Sequence, residues 1–350
     1  MTREDAFILW LMSLGLHKPW EILEHHGSAE AVFRNATDVK SASHANADYL
    51  EKLVNRTRNA LADVDARFIS YQHEDFPMRL TNIPNPPLGI FVKGVTLPNP
   101  TTPAVAIIGT RENTVYGGKV AEMLATELAA AGITIISGMA RGLDSRAHEA
   151  TLAAGGQTCA VLPSGIDICY PPANSRLYRQ IANTGCLITE FLPGFKPQRW
   201  SFSARNRIIA GMADILVIVE ADAKSGTLST ADHALAQGKE VFAVPGKITD
   251  KKSTGTNELI KQGAHILTNT SDILLALKIN HPEAPKEFSQ KIPLASDETL
   301  VYDCLNYDPA TVDYIVYKTG LNVAAVNTIL LTMELAGHVK RLPGQRYIKS

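Results

Sequence analysis

Val105-Ala106-Ile107-Ile108-Gly109-Thr110-Arg111 and Ile133-Thr134-Ile135-Ile136-Ser137-Gly138-Met139-Ala140-Arg141-Gly142 decide the fold of this chain. Each is a short apolar run that ends in a glycine-bearing turn with an arginine. Further runs follow at Cys159-Ala160-Val161-Leu162, Leu187-Ile188-Thr189, Ile215-Leu216-Val217-Ile218-Val219 and Val241-Phe242-Ala243-Val244. Continuous apolar, β-branched runs of this length are strands covered on both faces, which implies a parallel sheet. Between them, apolar residues take a helical spacing over 119–131, 145–154, 174–182, 205–212 and 228–237. Strand and helix alternate to about Leu277, so the fold class is α/β, an extended, doubly wound, Rossmann-like sheet.

Working outward, the stretch from Thr2 to about Ser70 keeps a helical period, as in Ile22, Leu23, Ala29, Val32 and Phe33, and reads as a small helical bundle. His25-His26-Gly27 suggests a helix closed by Gly27 more than a metal site, because adjacent histidines diverge on a helix and no acidic or cysteine partner is near. Seven prolines between Phe76 and Pro103 rule out helix there and predict an extended connector with a short strand around Gly89 to Lys93. Ile279 to Asp297 has prolines and charges without periodicity and reads as a flexible linker. After it come three helical stretches and two short strands around Pro343-Gly344, the pattern of a winged helix.

The 350 residues suffice for two or three domains, and 45% hydrophobic with 20% charged residues is a globular balance. Lys+Arg 34 against Asp+Glu 35 leaves a net charge of −1, so a nucleic-acid partner has to be held by a local basic patch. Cys159, Cys169, Cys186 and Cys304 form no CxxC pair and read as buried thiols in a reducing cytosol. No apolar run approaches the roughly 18 residues of a membrane span. Ala6 to Leu16 resembles a signal-peptide core, but Glu4 and Asp5 cancel Arg3 and no cleavage site follows. A cytoplasmic protein with no membrane partner is expected.

Ligands of an open parallel sheet sit beyond the carboxyl ends of its strands. There the sequence places Gly109-Thr110-Arg111, Ser137-Gly138-Met139-Ala140-Arg141-Gly142, Pro163-Ser164-Gly165, Lys224-Ser225-Gly226-Thr227 and Pro245-Gly246-Lys247. Glycines, hydroxyls and helix N-termini make anion sites, and arginine adds a bidentate fork for phosphate. One such loop is explained by tight strand-to-helix packing; five on one edge predict a polyanion or nucleotide site. Neither GxGxxG nor GxxxxGK[ST] is present, which disfavours NAD and ATP, and no cofactor is expected. From Lys196 to Gly211 the chain carries Lys196, Arg199, Arg205 and Arg207 with no acid, beside Trp200 and Phe202. A basic fork next to a stacking surface suits single-stranded nucleic acid, although either aromatic could instead cap the sheet as core.

Gly109-Thr110-Arg111, Ser137-Gly138-Met139-Ala140-Arg141-Gly142-Leu143-Asp144, Arg205-Asn206-Arg207-Ile208-Ile209-Ala210-Gly211, Ser225-Gly226-Thr227-Leu228 and Phe242-Ala243-Val244-Pro245-Gly246, in this order, resemble the DNA processing protein A family, also called DprA or Smf. The resemblance covers the whole organisation. It implies a helical (SAM-like) domain over 1–75, the connector with a Rossmann-like DNA-binding domain over 76–278, a linker over 279–297 and a winged-helix domain over 298–350. It further implies a homodimeric recombination mediator that binds single-stranded DNA during natural transformation, shields it and loads the RecA recombinase. Carried over by position, Arg111 and Arg141 belong to a basic pocket at the strand ends, Arg205 and Arg207 to its rim, and Lys247 beside them. Gly109, Thr110, Gly138, Phe202, Asn206, Ser225, Gly226 and Thr227 complete the expected DNA-binding set. The family carries Phe-Pro ahead of Arg-Asn-Arg where this chain has Ser203-Ala204, and Gly-Cys-Asn where it has Gly255-Thr256-Asn257. Neither change removes a charge, but the first bears on where that helix starts, because proline pre-sets a first helical turn.

The rival class is a nucleotide phosphoribohydrolase-like enzyme, whose similar sheet carries a Gly-Gly-x-Gly-Thr-x-x-Glu loop. Here the loop reads Lys224-Ser225-Gly226-Thr227-Leu228-Ser229-Thr230, so Thr230 stands where the carboxylate is needed. Asp144, Glu190 and Glu220 lie near strand ends, where each also has a role as a cap or as an arginine's partner. His148 and His233 read as structural, and no metal-ligand spacing is evident. The winged helix adds Lys340, Arg341, Arg346 and Lys349, yet its second helix, Asn322 to Ala336, has no lysine or arginine. That favours an accessory or partner-binding role over reading of duplex bases.

Overall fold

The computed structural model describes residues 1–16, 18–35, 46–95, 97–279 and 296–349. Along the chain these form α1 (Arg3–Ser13), α2 (Pro19–His26), α3 (Ala29–Arg34), α4 (Ala47–Asp63), β1 (Ala66–Ser70), α5 (Met78–Thr81), β2 (Gly89–Gly94), β3 (Ala104–Ile108), α6 (Val115–Ala130), β4 (Thr134–Ser137), α7 (Leu143–Ala153), β5 (Thr158–Val161), α8 (Ser175–Thr184), β6 (Cys186–Thr189), α9 (Arg199–Met212), β7 (Ile215–Ile218), α10 (Leu228–Ala236), β8 (Glu240–Ala243), α11 (Thr254–Lys261), β9 (His265–Ile266) and α12 (Thr270–Ala276). The C-terminal unit adds α13 (Ser296–Cys304), β10 (Ala310–Thr311), α14 (Val312–Thr319), α15 (Val323–Leu335), β11 (Val339–Leu342) and β12 (Arg346–Lys349).

Among the described residues the main sheet has nine strands in the order β1-β2-β6-β5-β4-β3-β7-β8-β9. From β6 to β9 every neighbouring pair is parallel, and β2 and β1 extend the sheet antiparallel beyond β6. All residues of β3 to β7 are buried, as expected for runs covered on both faces. The pleat sends alternate residues of β3 to opposite cores: Ala104, Ala106 and Ile108 to one, Val105 and Ile107 to the other. On α6, Ala121, Leu124, Ala125 and Leu128 recur at helical spacing and face the second core together with Leu143, Ala147 and Ile273. Ile208, Ile209 and Met212 of α9 cover the first core. Each such aliphatic side chain contributes roughly 1.5–3 kcal/mol on burial.

Three sequence expectations change. Ala66–Ser70, read as the end of the helical stretch, is strand β1, paired residue for residue with β2 from Ala66↔Lys93 to Ser70↔Gly89. Its Phe68 packs against Phe91 of β2, and this tertiary pairing outweighs the local pattern. The helix expected over 205–212 begins at Arg199, with the Gln198 N–H donating to Ser201 Oγ at 3.0 Å. Nothing between Arg199 and Arg205 interrupts the helical ladder, because Ser203 and Ala204 keep the N–H that proline lacks. The linker placed at 279–297 lies outside the described residues for 280–295, while Ser296 and Asp297 already belong to α13. Gly27 closes α2 in the left-handed conformation, as its position suggested.

One compact unit comprises Met1–Asn113 and Val120–Ile279, and the C-terminal segment belongs to a second. In the first, Leu9 of α1 and Leu61 of α4 share a core with Phe91 and Leu187 of the sheet, so the N-terminal helices do not stand apart from it. The C-terminal unit is a winged helix, with the antiparallel sheet β10-β12-β11 and α15 buried at Val326, Leu330 and Met333. No single helix among the described residues is long and apolar enough to cross a membrane.

Besides the pairing of β2, one carboxylate ties the connector to the sheet. Asp214, just before β7, accepts from Arg79 Nη2 and from the Ala104 N–H, each at 2.8 Å, and Arg79 also donates to Thr102 O. Asp214→Ala is expected to lower the unfolding free energy by about 1.5–3 kcal/mol in urea titrations, because a charged acceptor serving two donors is removed.

Candidate nucleic-acid interface

Strand order reverses between β3 and β7, so the loops that follow them diverge and open a crevice at the carboxyl edge of the sheet. A cavity of about 670 Å³ lies there. It is lined from β3 by Gly109, Thr110, Arg111 and Glu112, from β4 by Ala140 and Asp144, and from β5 by Tyr170. Helix α9 contributes Arg199, Phe202, Ser203, Arg205, Asn206 and Ile209; Ser225, Gly226, Thr227, Ser229 and Thr230 follow β7, and Lys252 follows β8. On α9, Arg199, Phe202, Arg205, Asn206 and Ile209 fall three or four residues apart, and the early start of the helix adds Arg199 to that face.

The Arg111 guanidinium lies over the Phe202 ring at 5.0 Å, and Tyr170 meets the same ring edge-on at 5.5 Å. An aromatic surface and a fixed cation thus share one wall. Opposite, Asn206 Nδ2 donates to Ser229 Oγ at 2.9 Å, and the Thr227 N–H donates to Ser225 Oγ at 3.2 Å, which holds the 225–229 loop at the start of α10. Lys252 pairs with Asp222 at 3.5 Å at the far side. Four cations against two carboxylates line the cavity, which favours an anionic ligand.

Below this wall the chemistry is structural. Arg205 is only 5% exposed and donates through Nη1 to Gly138 O at 2.6 Å and to Val161 O. Burial pulls its pKa down to about 10 against the opposing pull of Asp144, so it stays charged at neutral pH. Burial pushes the Asp144 carboxyl up from its ordinary range, opposed by the Arg205 charge and by the N–H groups of Ala140, Gly109 and Gly138. A Cβ on Gly138 would stand 2.5 Å from Arg205 Nη1, so this glycine makes room for the arginine and not for a phosphate.

Of the expected DNA-binding set, Gly109, Thr110, Arg111, Phe202, Arg205, Asn206, Ser225, Gly226 and Thr227 line one cavity. Arg205 lies in its floor, not on a rim, because its guanidinium is buried and its Nη1 is anchored by carbonyls at the ends of β4 and β5. Arg207 faces away and pairs with Glu190, each side chain less than a fifth exposed, so its charge is neutralised by one of the carboxylates that the sequence offered as an arginine's partner. Arg141 and Lys247 are exposed and do not line the cavity, and Gly138 lies beneath it. The loop Pro163-Ser164-Gly165 contributes nothing to the lining, since the Ser164 hydroxyl, wholly buried, donates to Ile168 O. Lys252, Tyr170 and Ser229 carry no local sequence signal. Tyr170 and Lys252 each lie nine residues beyond the end of a strand and Ser229 lies in α10, so only the fold brings them to the crevice. Thr230 lines the cavity at the position where the rival enzyme class needs its carboxylate. Among the described residues no group of three or more His, Cys, Asp or Glu could hold a metal ion.

His148 on α7 is wholly buried and shares a 2.7 Å hydrogen bond with Thr158 Oγ1. Burial, aided by the Arg205 charge, pushes its pKa from 6.5 down to about 3. The unfolded chain therefore binds a proton that the folded chain refuses, and stability present above pH 6.5 is lost as the pH falls from 6.5 toward 3. His148→Gln is expected to flatten the pH dependence of urea unfolding in that window, by up to about 1.4 kcal/mol per pH unit. Arg205→Ala is expected to cost about 3–5 kcal/mol in the same measurement, because Asp144 is left buried without its countercharge.

Comparison with known proteins agrees with this architecture. The family described as DNA recombination-mediator protein A matches residues 67–278, and the DprA winged helix domain matches residues 283–345. Protein Smf of Synechocystis sp. is 32% identical over 316 residues, covering 80% of this chain and 79% of its own. The X-ray structure of DNA processing protein A from Streptococcus pneumoniae superposes with a TM-score of 0.66 at 31% identity, covering 79% of this chain and 98% of that one. DNA processing protein A from Helicobacter pylori, whose structure is described for its single-stranded DNA binding mode, gives 0.56 at 34% identity over 61% of this chain and 98% of its own.

Proposed function

The chain belongs to the DNA recombination-mediator protein A family, and from that premise we propose that it binds single-stranded DNA in the crevice between β3 and β7. In this reading it shields incoming single strands in the cytoplasm during natural transformation and hands them to the RecA recombinase. It acts as a homodimer and without catalysing a reaction. The observation that carries the binding step is the Arg111 guanidinium held over the Phe202 ring inside a cavity with an excess of positive charge. A base stacked on such a surface gains about 1–3 kcal/mol whatever its identity, and the adjoining cations follow the phosphates. The Ser225-Gly226-Thr227 turn at the start of α10 offers the Ser225 and Thr227 hydroxyls to one phosphate. The single-stranded DNA binding described for the Helicobacter pylori relative supports the same reading.

Fluorescent oligo-dT and a duplex of equal length, titrated across a salt series, test it. The wild-type chain is expected to prefer the single strand, with affinity falling steeply as salt rises. Arg111→Ala and Lys252→Ala are expected to weaken binding and to reduce the salt slope by about 0.7 for each phosphate that is no longer neutralised. Wild-type binding without single-strand preference, or variants with unchanged affinity and slope, would refute the assignment.

A further inference from the structure

Trp200 is the second residue of α9, yet it takes no part in the cavity wall. It is 54% exposed, and its ring is backed by Phe191 and Phe195, each 5.6 Å away and edge-on. Those two phenylalanines stack on one another at 4.6 Å with planes 11° apart, so the indole rests on a rigid support. Its Nε1–H is held by Gln198 Oε1 at 2.8 Å, which fixes the ring's orientation. An exposed aromatic ring held in one pose by three neighbours presents a preorganised flat face for stacking.

Charge indicates what stacks there. Lys196 and Arg199, both exposed, lie four residues and one residue before Trp200 in the chain, and no acid occurs between Glu190 and Asp214. Two carboxylates of the adjoining loops are engaged: Glu190 with Arg207, and Asp167 with the Gly194 N–H at 2.9 Å. A flat apolar face close in the chain to exposed cations suits a base flanked by phosphates. At about 100° per residue, Trp200 and Phe202 project from nearly opposite sides of the first turn of α9, while Arg199 lies between them on the cavity face.

We propose that Trp200 is a second base-stacking platform, separate from the cavity. A single strand leaving the Arg111–Phe202 wall crosses the first turn of α9 past Arg199 and stacks another base on the indole. The platform exists because α9 starts at Arg199; a helix that began near Arg205 would not present Trp200 and Arg199 on a rigid turn. The proposal rests on the reading of the cavity as a single-stranded DNA site, and its test separates the two.

Oligo-dT from about 4 to about 16 nucleotides, the range that single binding domains occupy, would be titrated against wild-type protein, Trp200→Ala and Trp200→Phe. The expected result is near-wild-type affinity of Trp200→Ala for the shortest oligomers and a loss of about 5- to 150-fold for longer ones, the value of one stacked base. Trp200→Phe should recover most of it. Tryptophan emission should be quenched by long oligomers in the wild type and not in either variant, since Trp10 is buried and Trp20 is held by Pro86 O in the N-terminal helices. If wild type binds with a steep salt slope and Trp200→Ala matches it at every length, the platform is refuted and the cavity reading stands. An equal loss at every length also refutes it, because the tryptophan then acts through the helix start and not as a separate platform. If wild type binds no single strand at any length, the cavity reading itself fails and takes the platform with it.

Discussion

The Arg205 guanidinium ties helix α9 to the ends of β4 and β5 through the carbonyls of Gly138 and Val161. It is charged and almost wholly buried, and the carboxylate of Asp144 compensates it from below. A buried charge of this kind is tolerated only with its partners in place, so α9 has one permitted position against the sheet. Everything that the helix presents follows from that position: Phe202 under Arg111, Asn206 on the 225–229 loop, Arg199 at the mouth and Trp200 outside it. Arg205 is accordingly a residue that positions the cavity wall, while Arg111 lies with its guanidinium over a ring inside the cavity.

The neighbouring Arg207 shows how little the residue type alone conveys. Two positions along the same helix it turns to the other side, where Glu190 neutralises it and Gln237 Nε2 donates to its carbonyl. Of the arginines in the Arg-Asn-Arg segment, one is anchored to backbone carbonyls and one is paired with a carboxylate. The positive surface instead comes from Arg111 and Arg199, on a loop and a helix start, while Lys252 at the far side is paired with Asp222. Such a surface is built by convergence at the switch point of the sheet, where the chain runs to opposite sides after β3 and β7.

The winged helix follows a similar division between frame and surface. Val326, Leu330 and Met333 of α15 face its core, whereas the outward positions Val323, Asn327, Leu331 and Leu335 carry no charge. The basic residues lie on the hairpin, at Lys340, Arg341, Arg346 and Lys349. A helix without cations is a poor reader of base edges between phosphates, so its shape alone does not make this unit a duplex binder.

The strands were legible because both faces of the sheet are covered, which forces continuous apolar runs; β3 to β8 appear within a residue or two of where those runs lie. The glycine-bearing turns and their place at one edge follow from the same alternation. β1 was not legible, because Ala66–Ser70 becomes a strand only by pairing with β2. Nor were Tyr170 and Lys252, whose loops return to the crevice after turns that no local pattern announces. Periodicity and turn residues are local properties of the chain, so the doubly wound sheet, the winged helix and the edge that carries the glycine-bearing turns could be read from the residues alone. Which arginines line the crevice and which are buried against carbonyls or carboxylates emerged with the packing, because a charge's surroundings depend on burial and on partners far away in sequence.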